Sequence, residues 1–190
     1  MKIAKSILSN NTYEISLDEI ETNPNLVERC SEIIKYFSKG NKLFFCLYRE
    51  DGFLLSEDQL INYRKEIPEY FETNGNWTTL FDKNNIKMKY FDSRILKAGS
   101  LPANDKTYIM LPRIFHYFLE TICFFPKISW EFFEKNCFNY MKNGGRNYIE
   151  DGYTDVLFSY VDNGDFRITF NSSLYNVESV YNDILKILNV

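Results

Sequence analysis

The stretch 151–171, DGYTDVLFSYVDNGDFRITFN, constrains the fold more than any other part of the chain. Apolar and polar residues alternate on either side of Asn163–Gly164, the pattern of two strands joined by a tight turn. A two-residue turn there sets Val161 opposite Phe166, Ser159 opposite Ile168 and Leu157 opposite Phe170 on one face. Leu157, Val161, Phe166, Ile168 and Phe170 are then the expected core side. The other face pairs Tyr160 with Arg167, Phe158 with Thr169 and Val156 with Asn171. The same register sets Asp162 opposite Asp165, and like charges facing each other across a strand pair are destabilising. A longer turn would separate the two carboxylates; a cationic partner would neutralise them.

The rest of the chain supplies enough apolar surface to build one core around such a hairpin. It has 190 residues, 17 of them Phe and 14 Tyr. Burying one Phe contributes roughly 1.5–3 kcal/mol, so a single domain spanning 1–190 is expected. The four cysteines (Cys30, Cys46, Cys123, Cys137) are widely spaced and form no C-x-x-C, which reads as buried thiols rather than a disulfide framework. No signal peptide is read at the N-terminus. The most apolar stretch, 108–126, is interrupted by Pro112, Arg113, His116 and Glu120, which argues for a core helix over a membrane span. A cytoplasmic location follows as the expectation.

Helical spacing over 25–39 places Leu26, Cys30, Ile33, Ile34 and Phe37 on one face. KLFFCLYRE (42–50) reads as a strand, with Asp51–Gly52 turning into FLLS. Ser56 and Gln59 form a capping box for a helix to about Lys65. IKMKYF (86–91) alternates like a strand, and KAGSLPANDK (97–106) reads as a loop. A helix is expected from Pro112 to Pro126, with proline in its first turn. Another is expected from a Ser129 cap to 143–145, burying Trp130, Phe133, Cys137 and Tyr140/Met141. Residues 176–189 form a last amphipathic helix. The mixed order predicts an α+β fold, with antiparallel hairpins packed against several amphipathic helices.

The chain lacks phosphate-binding, dinucleotide-binding and nucleophile-elbow motifs. Its single histidine, His116, reads as a structural residue of a buried helix or as a general base. Glu131/Glu134 and Glu57/Asp58 are carboxylate pairs on the polar sides of expected helices. Asp162–Asp165 carries calcium-ligand types without the EF-hand spacing. KMKYFDSRILK (87–97) interleaves aromatic and basic residues as a base-stacking strand would. However, a net charge of −4 and a pI near 5.2 argue against a phosphate-backbone binder. No cofactor, metal, nucleic acid or membrane partner is expected.

The charge distribution carries the functional expectation. Residues 151–190 hold Arg167 and Lys186 against Asp151, Asp155, Asp162, Asp165, Glu178 and Asp183, which is the whole net charge of the chain. Asp151, Tyr153, Asp155, Tyr160, Asp162, Asp165 and Arg167 are therefore the expected partner-binding residues. In overall character (small, acidic, α+β, without catalytic motifs) the chain resembles the bacterial immunity proteins that neutralise polymorphic or contact-dependent toxins. EIPEYFETNGN (66–76) resembles the Pro–aromatic–Gly region of one such immunity-domain family, and no site residue is carried over from it. The resemblance implies a non-catalytic inhibitor that occludes the active site of a basic toxin domain, such as a nuclease. The alternative is a small enzyme or ligand-binding domain with a pocket near His116 and the 97–106 loop.

Overall fold

The structure, a computed structural model, describes residues 1–20, 24–38, 42–49, 89–91, 95–117, 120–133, 146–161 and 164–190. The turn at Asp51–Gly52, the Ser56 helix, the 66–76 fragment, Asp162, Asn163 and the helix beyond 133 lie outside those residues. The architecture is α+β. One antiparallel sheet contains β1 (Lys2–Ser9), β2 (Thr12–Asp18), β3 (Lys42–Arg49), β4 (Lys89–Phe91), β5 (Ile95–Pro102), β6 (Glu120–Phe124), β7 (Val156–Val161) and β8 (Asp165–Asn171). The spatial order is β1-β2-β8-β7-β6-β3-β5-β4, so the first and last hairpins lie side by side. The helices are α1 (Pro24–Tyr36), α2 (Asp105–Tyr117), α3 (Arg146–Glu150) and α4 (Val177–Leu188). None among the described residues is long and apolar enough to cross a membrane.

α1, α2 and α4 cover the inner face of the sheet. Ile33 of α1, Phe37 just after it, Phe115 of α2 and Ile184 of α4 join Ile15, Phe45, Phe158 and Ile168 in one buried cluster. α4 begins where the Asn176 side chain accepts the Ser179 N–H at 2.9 Å and ends at Asn189 in the left-handed region. On the outer face Phe44, Ile122, Phe124 and Leu157 pack under Phe133, Tyr148 and Ile149 in a second, smaller cluster.

The β7–β8 hairpin forms, but its register is one residue away from the expected one. Val161 pairs with Asp165, Tyr160 with Phe166, Phe158 with Ile168 and Val156 with Phe170. Three residues, not two, separate the strands. Gly164 takes φ 73° and its N–H donates to Val161 O at 2.9 Å, a geometry that a glycine in the third loop position allows. Asp165 therefore faces Val161 rather than Asp162. A one-residue slip reverses the faces of one strand, here β7. Val156, Phe158 and Tyr160 line the inner core, Leu157 joins the outer cluster, and Val161 is half-buried.

Two other expectations are corrected. Residues 97–102 are not a loop but the end of β5, paired with β3 from Lys42–Pro102 to Arg49–Ile95. Ladder pairing overrides the weak strand preference of Lys, Gly and Ser. Helix α2 starts at Asp105, where Asn104 Oδ1 accepts the Thr107 N–H at 3.1 Å, and Pro112 lies inside it. That helix stops at Tyr117. Residues 120–124 are the central strand β6, carrying Cys123, because a strand buried on both faces shows the same unbroken apolar run as a buried helix.

Candidate acidic aromatic corner

The short α3 helix and the turn after it form a tightly held corner beside the outer cluster. Asp151 N–H donates to Asn147 O at 2.8 Å, and Gly152 N–H to Ile149 O at 3.0 Å. Gly152 has φ 73°, a conformation that side-chain-bearing residues rarely adopt, so the turn selects glycine there. Tyr153 and Thr154 N–H both return to Tyr148 O, at 2.8 and 3.2 Å. The buried Thr154 hydroxyl lies 2.9 Å from Phe125 O and 2.7 Å from Val156 O, and Lys127 N–H donates to Tyr153 O at 2.8 Å. The turn is thus tied to both neighbouring segments through its backbone.

What the corner presents is aromatic and acidic. Ser129 caps the helical turn at 130–133, where its hydroxyl accepts the Phe132 N–H at 3.3 Å. Trp130 and Phe133 turn inward against Phe44, leaving Phe132 on the outside, 42% exposed. Its ring meets the edge of Tyr153 at 5.2 Å and 76°, a favourable edge-to-face geometry. Segments 127–132 and 147–155 carry Lys127 against Glu131, Glu150, Asp151 and Asp155. Lys127 and Asp155 form an ion pair, and Asp151 is exposed. A polar cleft of about 440 Å³ opens alongside, lined by Asn10, Asn11, Glu150 and Asn171 among others.

The expected partner-binding residues divide into three groups. Asp151, Tyr153 and Asp155 come together at the corner. Asp165 and Arg167 lie on the outer face of β8 toward the other end of the hairpin and pair with each other at 3.7 Å. Tyr160 is a correction: it is 1% exposed and stacks on Phe115 at 5.1 Å, on the opposite face from Arg167. No partner can reach it without opening the core. Asp162 lies outside the described residues. Phe132 was missed although the sequence held a signal for it. The stripe Trp130–Phe133 leaves the intervening Phe132 off the buried side of its helix.

No group of three or more His, Cys, Asp or Glu side chains among the described residues could hold a metal ion. Burial pushes the thiols of Cys30 and Cys123 well above their ordinary range. His116 falls in α2, and of the 97–106 segment that the enzyme reading set beside it, 97–102 is strand β5 and 105–106 begin α2. Comparison with known proteins returned no matching family model, no matching curated protein and no matching solved structure.

Proposed function

We propose that the chain is a non-catalytic protein-binding inhibitor, an immunity protein that neutralises a cationic toxin domain by covering its basic active-site surface. The observation that carries this reading is the corner: exposed Phe132 against half-buried Tyr153, held on a hydrogen-bonded turn among Glu131, Glu150, Asp151 and Asp155. Exposed aromatics on a rigid support are the residue type and setting of interface hot spots, and surrounding carboxylates speed encounter with a basic surface. A turn already fixed by its backbone loses little entropy on binding.

The test is co-expression with the basic protein encoded beside it, scored by rescue of growth, followed by association kinetics on the purified pair. Changing Glu150 and Asp151 together to Lys should slow association by about tenfold at low salt. Phe132→Ala should mainly raise the dissociation rate, and Asp165→Lys at the far end of the hairpin should matter least. Failure to rescue would sink the inhibitor reading. Rescue with unchanged kinetics in both corner variants would sink the corner.

A further inference from the structure

The helical layer, on the opposite side of the sheet from the corner, carries a second surface built for a partner. α2 and the C-terminal turn of α4 flank α1 and leave a groove of about 1420 Å³ along its outer side. That exceeds the usual range for small-molecule sites, about 300–1,000 Å³. Cross-links tie its walls to α1. Lys35 pairs with Asp105 of α2 at 2.8 Å. Tyr36 donates to Asp183 of α4 at 2.8 Å, and Arg29 donates to Ile187 O at 3.2 Å.

The groove combines an exposed apolar wall with an excess of negative charge, Glu28, Glu32 and Asp105 against Arg29 and Lys35. Ile109 is 75% exposed and Tyr36 46%, and half-buried Pro112 and Leu26 line the same cleft. Glu28 and Glu32, one helical turn apart on α1, are exposed, and neither has an ion-pair partner among the described residues. The groove's two cations are already engaged: Lys35 by a carboxylate, Arg29 by the carbonyl end of α4. What is left to recognise is a ligand with an apolar stripe and positive charge beside it.

We propose that this groove binds a basic amphipathic helix, its apolar side chains seated on Ile109, Tyr36 and Pro112 and its Lys or Arg residues paired with Glu28 and Glu32. Helix-in-groove recognition uses anchors at i, i+3, i+4 and i+7 against such a surface. The proposal is independent of the corner, since the two surfaces are separated by the sheet.

The experiment uses the full chain and a fluorescent Leu/Lys peptide of about four helical turns with leucines at those spacings. A scrambled peptide of the same composition and a Leu/Glu counterpart serve as controls. The periodic basic peptide should bind, and both controls should bind at least tenfold more weakly. Ile109→Glu should reduce affinity tenfold or more, with Ile109→Ser as a second variant, and urea midpoints should show that both fold. Glu28→Lys with Glu32→Lys should reduce affinity and flatten its salt dependence, whereas Phe132→Ala should change nothing. Equal binding of the scrambled peptide, or unchanged binding by the Ile109 variants, would overturn the proposal. So would a dimer that Ile109→Glu converts to monomer, since a second copy would then be the occupant.

Discussion

The inner face of the sheet is covered by three helices from β2 to β5, whereas the outer face carries its aromatic cluster over β3, β6 and β7. On the outer side of β2 and β8, Glu14, Ser16, Asp18, Asp165 and Arg167 are half-exposed. The inner face is apolar at most alternate strand positions, with Lys5 of β1, Gly99 of β5 and Thr121 of β6 among the exceptions. The outer face follows two rules, aromatic where the α3 corner rests on it and polar elsewhere. That division makes β6 and the start of β7 apolar on both sides while β2 and β8 alternate. It also separates the residues that stabilise the fold from those that can meet a partner.

The sharpest way to break this contrast is to remove one aromatic ring from each region. Phe158 is fully buried, in contact with Phe37 at 5.6 Å and stacked on Phe166 at 6.2 Å. Phe158→Ala should cost about 3–5 kcal/mol in urea unfolding. Phe132→Ala, removing an exposed ring, should cost under about 1 kcal/mol while weakening partner binding. Similar losses in the two variants would mean that the corner is structural.

How much of this division was legible follows from the same contrast. Where one face is wet, the period shows: β8, α1 and α4 were readable because Arg167, Glu32 or Asp183 interrupts the apolar positions. Where both faces are buried, as in ETICF of β6, the period vanishes and length alone decides. The Phe132–Tyr153 pair was not readable as a contact, because it depends on Lys127 and Tyr153 being joined across a turn. The acidic excess near 151–155 was readable, since charge needs no geometry to be counted. The hairpin register turned on whether Gly164 closed a two- or a three-residue loop, and DNG is compatible with either.

A smaller effect tests how firmly the outer cluster holds the corner. The Thr154 hydroxyl bridges Phe125 O and Val156 O, joining the end of β6 to the start of β7. Thr154→Val keeps the shape and removes the polar contacts, leaving buried carbonyls with fewer donors. A loss of about 1–2 kcal/mol is expected, together with slower recognition by the partner if the turn loosens. Thr169→Val on the outer side of β8, where the hydroxyl lies 3.4 Å from Glu14 Oε2, is the matched control and should leave recognition unchanged.

The smallest effect belongs to the helical layer. The Lys186 ammonium and then the Tyr36 hydroxyl, both hydrogen-bonded to Asp183, hold its carboxyl below the usual carboxylate range. A carboxyl whose folded pKa is lowered binds its proton more readily in the unfolded chain. Its contribution to stability is therefore present above the unfolded value, near pH 4, and is lost as pH falls through the folded value. The carboxylate is half-exposed and screened by solvent, so the contribution is small. Subtracting the urea midpoint of Asp183→Asn from that of the parent isolates it from the other carboxylates. The difference should be constant from pH 7 to about pH 5, shrink at lower pH and vanish in strong acid. A difference independent of pH would show that Asp183 anchors α1 to α4 by hydrogen bonding alone, which the amide would preserve in part. Under that outcome the groove along α1 would keep its width at acid pH.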